Sequence, residues 1–156
     1  MTHLLNPATG KYLLNPAPEH LHDEVVQWQS DIEFYNTELI FLGKLIDKAF
    51  LRITSAPKMA ELKTLEEKLK SVQQETIGEL RSKFIQHEHE LSTLDMDIFK
   101  MRRKRVEEAH KRHWEMLNSF VGKTRQLKNE VFGFVEKQLK LSKEVKAEYE
   151  SGSIAL

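Results

Sequence analysis

Between Val106 and Val145 the chain can be stepped in alternating fours and threes without a slip. The steps land on Val106, His110, His113, Leu117, Phe120, Thr124, Leu127, Val131, Phe134, Gln138, Leu141 and Val145. Most of these positions are apolar, and a repeat of about 3.5 residues keeps one stripe of an α-helix turned toward a partner along its whole length. A lone helix cannot bury such a stripe against itself, so other helices must form the opposite wall.

Two further stretches supply them. Pro18 suits a first helical position and Glu19 suits the positive end of a helix dipole. From there a second stripe runs through Leu21, Val25, Trp28, Ile32, Tyr35, Leu39, Leu42, Ile46, Ala49 and Ile53. Val26, Phe34, Ile40, Phe41, Leu45 and Phe50 widen this apolar face beyond a two-strand seam, as in bundles of three or more helices. Thr54-Ser55-Ala56-Pro57 punctuates the chain, and Pro57 opens a third pattern. It passes through Leu62, Leu65, Leu69, Val72, Thr76, Leu80, Phe84, His87, Leu91, Leu94, Ile98 and Met101. Three consecutive steps of four from Val72 to Phe84 mark a stutter, with Gly78 inside it.

The stripe then breaks phase between Met101 and Val106. The charges sort there too: Lys100, Arg102, Arg103, Lys104 and Arg105 precede Glu107 and Glu108. Cations favour a helix end and anions a helix start, so a tight turn is expected within Arg102–Arg105. The rival is one unbroken helix of about 90 residues, roughly 135 Å long, which an elongated antiparallel dimer would satisfy. The expected fold is therefore all-α: a long antiparallel three-helix bundle with coiled-coil-like packing and helices at about 18–53, 57–101 and 106–150. Residues 1–17 contain Leu-Leu-Asn-Pro twice and read as an extended, turn-punctuated arm. Its Leu4, Leu5, Tyr12, Leu13 and Leu14 either fold back on the bundle or reach a second subunit. Residues 151–156 read as a flexible tail.

Stretches of the first and second helices resemble a set of small, functionally uncharacterised all-helical proteins from Bacteroidetes bacteria. Trp28 through Leu42, with Phe34-Tyr35 followed by Glu38-Leu39-Ile40-Phe41, is similar to their W-L-S-E-L-x-F-Y-x-D-E-I-x-x-F segment. Lys83-Phe84-Ile85 with Leu91, Leu94 and Ile98 resembles a second-helix segment ending in a D-E-L-K-H-E-I-like run, and Leu117 to Leu139 agrees in its heptads. Glu79-Leu80-Arg81-Ser82 departs from the aromatic and amides found there, and the second connection is shorter. The resemblance implies a bundle of three long helices and supplies no activity.

Chemistry-bearing residues are sparse. The chain has no cysteine, which excludes disulfides, thiolate metal sites and cysteine nucleophiles. Lys and Arg number 24 and so do Asp and Glu, a neutral balance unlike the basic excess of nucleic-acid binders. The basic run, with Lys111 and Arg112, has no interleaved aromatics to stack single strands and reads as a solvated helix terminus. No phosphate loop, Ser-His-Asp arrangement or hydrolase elbow is present, so a non-enzymatic protein is expected. No apolar run approaches the roughly 20 residues of a membrane span, and residues 1–10 lack signal-peptide character, so a cytoplasmic location is expected.

Histidines are the exception. With turns near Ser55 and Arg103, six of the seven gather at one end of the bundle: His20, His22, His87, His89, His110 and His113. Imidazoles and carboxylates ligate zinc, iron or manganese, and Glu107-x-x-His110 has the spacing of carboxylate-bridged di-metal bundles. Only His87, His110 and His113 fall on the stripes, however, while His20, His22, His89 and Glu107 fall off them. The alternatives are polar core residues that set register, a metal site, or a layer whose packing responds to pH. The leading expectation is an interaction or scaffold protein that binds itself or another helix. Phe41 on the widened face and the apolar residues of the arm are the expected contacts; a metal-binding bundle is the alternative.

Overall fold

A computed structural model describes residues 18–150 of the 156, with side chains through residue 138. Among the described residues the chain is helical throughout, apart from two short connections. Helix α1 spans Pro18–Phe50, α2 spans Ala56–Ser71, α3 spans Ile77–Ser92 and α4 spans Met96–Glu150. A single π-helical turn, Val72–Thr76, joins α2 to α3, so the two form one rod and the molecule is a three-rod bundle. No helix among the described residues is long and apolar enough to cross a membrane. The arm and tail expected at residues 1–17 and 151–156 lie outside the described residues.

The first rod follows its pattern closely. Every α1 stripe residue from Leu21 to Ala49 is buried. The turn after it is closed by Arg52 N–H donating to the Ala49 carbonyl, and Ser55 caps α2 by accepting from Lys58 N–H. The second rod carries one residue more than its heptads allow, because Leu69 and Ile77 are buried eight positions apart. The π turn absorbs that residue, with Ile77 N–H donating to the Val72 carbonyl five positions back. Ile77, Leu80, Phe84, His87 and Leu91 then resume threes and fours against the core.

The second reversal differs from the sequence expectation. It lies at residues 93–95, and Arg102–Arg105 sits inside α4. Ser92 and Thr93 hydroxyls donate to the His89 and Glu90 carbonyls, satisfying acceptors at the end of α3. Asp95 caps α4 by accepting from Ile98 N–H at 2.8 Å. The expected helices 57–101 and 106–150 are thus replaced by a rod ending at Ser92 and a 55-residue α4. The unbroken helix is likewise ruled out. Ile98 and Met101, assigned to the stripe, are 37% and 85% exposed, whereas Phe99 is fully buried. Phe99, Arg103, Val106 and His110 continue the α4 stripe backward in threes and fours, so the phase never breaks at the arginines.

Register follows from contacts between rods. Trp28 meets Phe84 and Glu33 meets Arg81, so α1 is antiparallel to the second rod. His87 meets His110 and Lys68 meets Glu130, so α4 is antiparallel to the second rod and parallel to α1. One ion pair ties each pair of rods: Glu33–Arg81, Glu38–Lys128 and Lys68–Glu130. Their side chains are largely exposed, so each contributes under about 1 kcal/mol and matters more for alignment than for stability.

Three helical glycines, Gly78, Gly122 and Gly133, have open space where a side chain would stand. None marks a close approach of rods. Replacing each by alanine is expected to stabilise the fold by about 0.5–1 kcal/mol, because the unfolded chain loses freedom and nothing is displaced. Thermal unfolding checks this: each variant should melt about 1–4 °C higher, and a lower melting temperature would contradict the packing described.

Candidate functional site

The three histidines on the stripes meet in one layer that crosses all three rods. His87 comes from α3, His110 and His113 from α4, and Trp28 and Glu24 from α1. His87 and His110 are 2% and 1% exposed. Their rings are joined by a 3.0 Å hydrogen bond between His87 Nε2 and His110 Nδ1. Nε2 of His110 lies 3.4 Å from Glu24 Oε2. An ionised carboxylate only accepts, so in the contact with Glu24 it is His110 Nε2 that donates. The contacts form a chain, Glu24–His110–His87, that ends at His87 Nδ1, a buried atom without a hydrogen-bond partner.

Aromatic faces close the layer. Trp28 stacks on His110 at 4.5 Å and tilts against Phe84 at 5.7 Å. His113 lies flat on His87, with centroids 4.4 Å apart and planes within 5°. Its Nδ1–H donates to the Ala109 carbonyl at 2.6 Å. Burial pushes the His87 ring down to about 3, helped by the neighbouring His113 and His110. Burial also lowers His113, partly offset by its bond to Ala109 and reinforced by His110, Lys83 and Arg112. His87 is therefore a neutral ring at ordinary pH, unsuited to donating a proton in general acid catalysis.

Among the described residues, the other histidines do not join the layer. His20 and His89 are exposed, His22 is half-buried with Asp23 4.0 Å away, and Glu107 is half-buried. Among the described residues, no group of three or more His, Asp or Glu is disposed to hold a metal ion. The reason is visible in the rings: two present faces to each other, and two spend their nitrogens on a mutual bond rather than converging on a point. Zinc, iron or manganese would require these side chains to repack.

Two polar residues off the stripes were not singled out by sequence. Asp31 is 2% exposed and accepts from Gln27 Nε2 at 3.3 Å, one helical turn away; Asp95 is the helix cap already described. The Ser-Thr-x-Asp run before Met96 was the available signal for the second.

The surface offers a different kind of feature. Val26, Phe34, Ile40 and Phe41 are 44–52% exposed on the side of α1 away from the core. Of the six residues that widen the α1 face, Leu45 alone packs against the core. Together Val26, Phe34, Ile40 and Phe41 expose roughly 350 Å² of apolar surface, the size at which surface patches are often functional. Of the expected partner contacts Phe41 lies in this row, while Leu4, Leu5, Tyr12, Leu13 and Leu14 lie outside the described residues. Compared with known protein families, characterised proteins and solved structures, the chain matches none.

Proposed function

We propose that the protein is a non-enzymatic interaction or scaffold protein, working through recognition of a helix by the outward face of α1. The observation that carries this reading is the row Val26, Phe34, Ile40 and Phe41, half-exposed on a chain of which 31% is charged. Phe34 meets the core only through the edge of Tyr35, and Phe34 and Phe41, seven positions apart, match the spacing by which a docked helix presents its anchors. The buried histidine layer fits the same reading: it spans the three rods and fixes their register.

The test is site-specific photo-crosslinking of the full chain in its native cells, with the reactive group at Phe41 or, as a control, at exposed Lys63 of α2. Defined products at position 41 that are absent at 63 are the expected result. Equal or no crosslinking at the two positions would overturn the proposal.

A further inference from the structure

The outward face of α1 is complementary to itself when turned end for end. Its N-terminal part exposes Glu19 and Asp23, and its C-terminal part exposes Lys44 and Lys48, with Asp47 the exposed anion beside them; exposed Arg52 follows in the turn after the helix. A two-fold axis between residues 35 and 36 sets Asp23 against Lys48 of the second copy and brings Glu19 to the end of the second copy's α1, before the turn that carries Arg52. The same axis sets Phe34 beside Thr37 and Phe41 beside Ser30, each aromatic ring against a small side chain. Val26 falls beside half-buried Leu45. Glu33 and Glu38 would face one another, and each is already paired within its own chain, by Arg81 and Lys128. One axis thus pairs Asp23 with Lys48 and the aromatic rings with small side chains, and the facing glutamates keep their own cations, in an isologous arrangement.

We infer that the occupant of the α1 face is a second copy of this chain, packed antiparallel along α1 about that axis. This deepens the helix-recognition reading and rests on it. The two apolar rows contribute at most about 700 Å² between them, which places the contact among weak, transient interfaces. Such a dimer is expected to fill at high protein concentration and empty at low.

Sedimentation equilibrium of the intact chain from about 1 to 500 µM reads the association, and engineered cysteines read the direction. The chain has no cysteine of its own. Thr37→Cys lies beside the axis and is expected to form an oxidised dimer rapidly. Lys44→Cys lies about 25 Å from its own copy along the helix and is expected not to. Asp23→Lys should weaken association roughly tenfold, and adding Lys48→Asp to the same chain should restore it. Circular dichroism confirms that each variant is folded. A monomer at 500 µM, efficient crosslinking of Lys44→Cys as in a parallel pair, or no rescue by the double reversal would each overturn the inference. A monomer whose Phe41 crosslinks specifically to a different chain would leave the interaction reading standing and remove only the second copy.

Discussion

Moving the protein from pH 7 to pH 5 is expected to cost about 2 kcal/mol through His87 alone, seen as a melting temperature lower by roughly 4–8 °C. In the unfolded chain this ring takes up a proton near its ordinary value of 6.5; in the folded chain it resists protonation down to about 3. Between those values the unfolded state binds the extra proton. The stabilisation is therefore complete above pH 6.5 and is lost progressively as the pH falls toward 3. His113, also lowered by burial, acts with the same sign. The range from 7 to 5 lies above the titration of ordinary carboxylates, which isolates the imidazoles. His87→Phe keeps a ring against His113 but cannot titrate, so its fall in melting temperature over the same range should shrink to the share His113 carries. An equal fall in both proteins would show that His87 is not held neutral by its surroundings.

Replacing Trp28 by alanine is expected to have the largest effect of any single substitution in this layer, about 3–5 kcal/mol. Trp28 is 1% exposed and touches rings from both other rods, Phe84 and His110. Its removal would leave a cavity where the three helices cross and admit water to the histidines. Urea unfolding measures the loss directly. The same variant should show a shallower pH dependence than the parent, since hydrated imidazoles regain ordinary proton affinity. A loss under about 1 kcal/mol would mean that α1 is not seated against α3 and α4 as described.

Much of this architecture is legible in the heptads, because burial of an apolar stripe is a local pattern with a global consequence. Leu21 to Ala49 all reach the core, and so do most of the positions picked out between Val106 and Gln138. The steps of four around Val72 mark a stutter where the structure has its π turn, but the core position there falls to Ile77 and not to Thr76. The second reversal was not legible from charge. Thr93 turns the chain in an ordinary right-handed conformation, at φ −90° and ψ −5°, so neither glycine nor proline was needed to mark it. The decisive residues, Ser92, Thr93 and Asp95, are short hydrogen-bonding side chains whose competition with the backbone is easily outweighed by a run of five cations. A turn near Arg103 would set His110 and His113 level with about residues 94–97; with the turn at 93–95 they meet His87 and, for His113, Phe84. Contact between rings depends on axial offset to within a turn, and a sequence repeat fixes only the face.

The widened turn at Val72–Thr76 gives the middle rod a tolerance that its neighbours lack. A residue gained or lost from a tight spiral swings everything downstream by about 100°, carrying half a seam into water. Here the slack is already in the strand's winding, so trimming one residue from this loop of backbone would let the spiral close up while Ile77, Leu80 and Phe84 keep their places. Length changes in a relative of this chain should therefore collect at that point, leaving the imidazole layer and the α1 exterior in their present alignment.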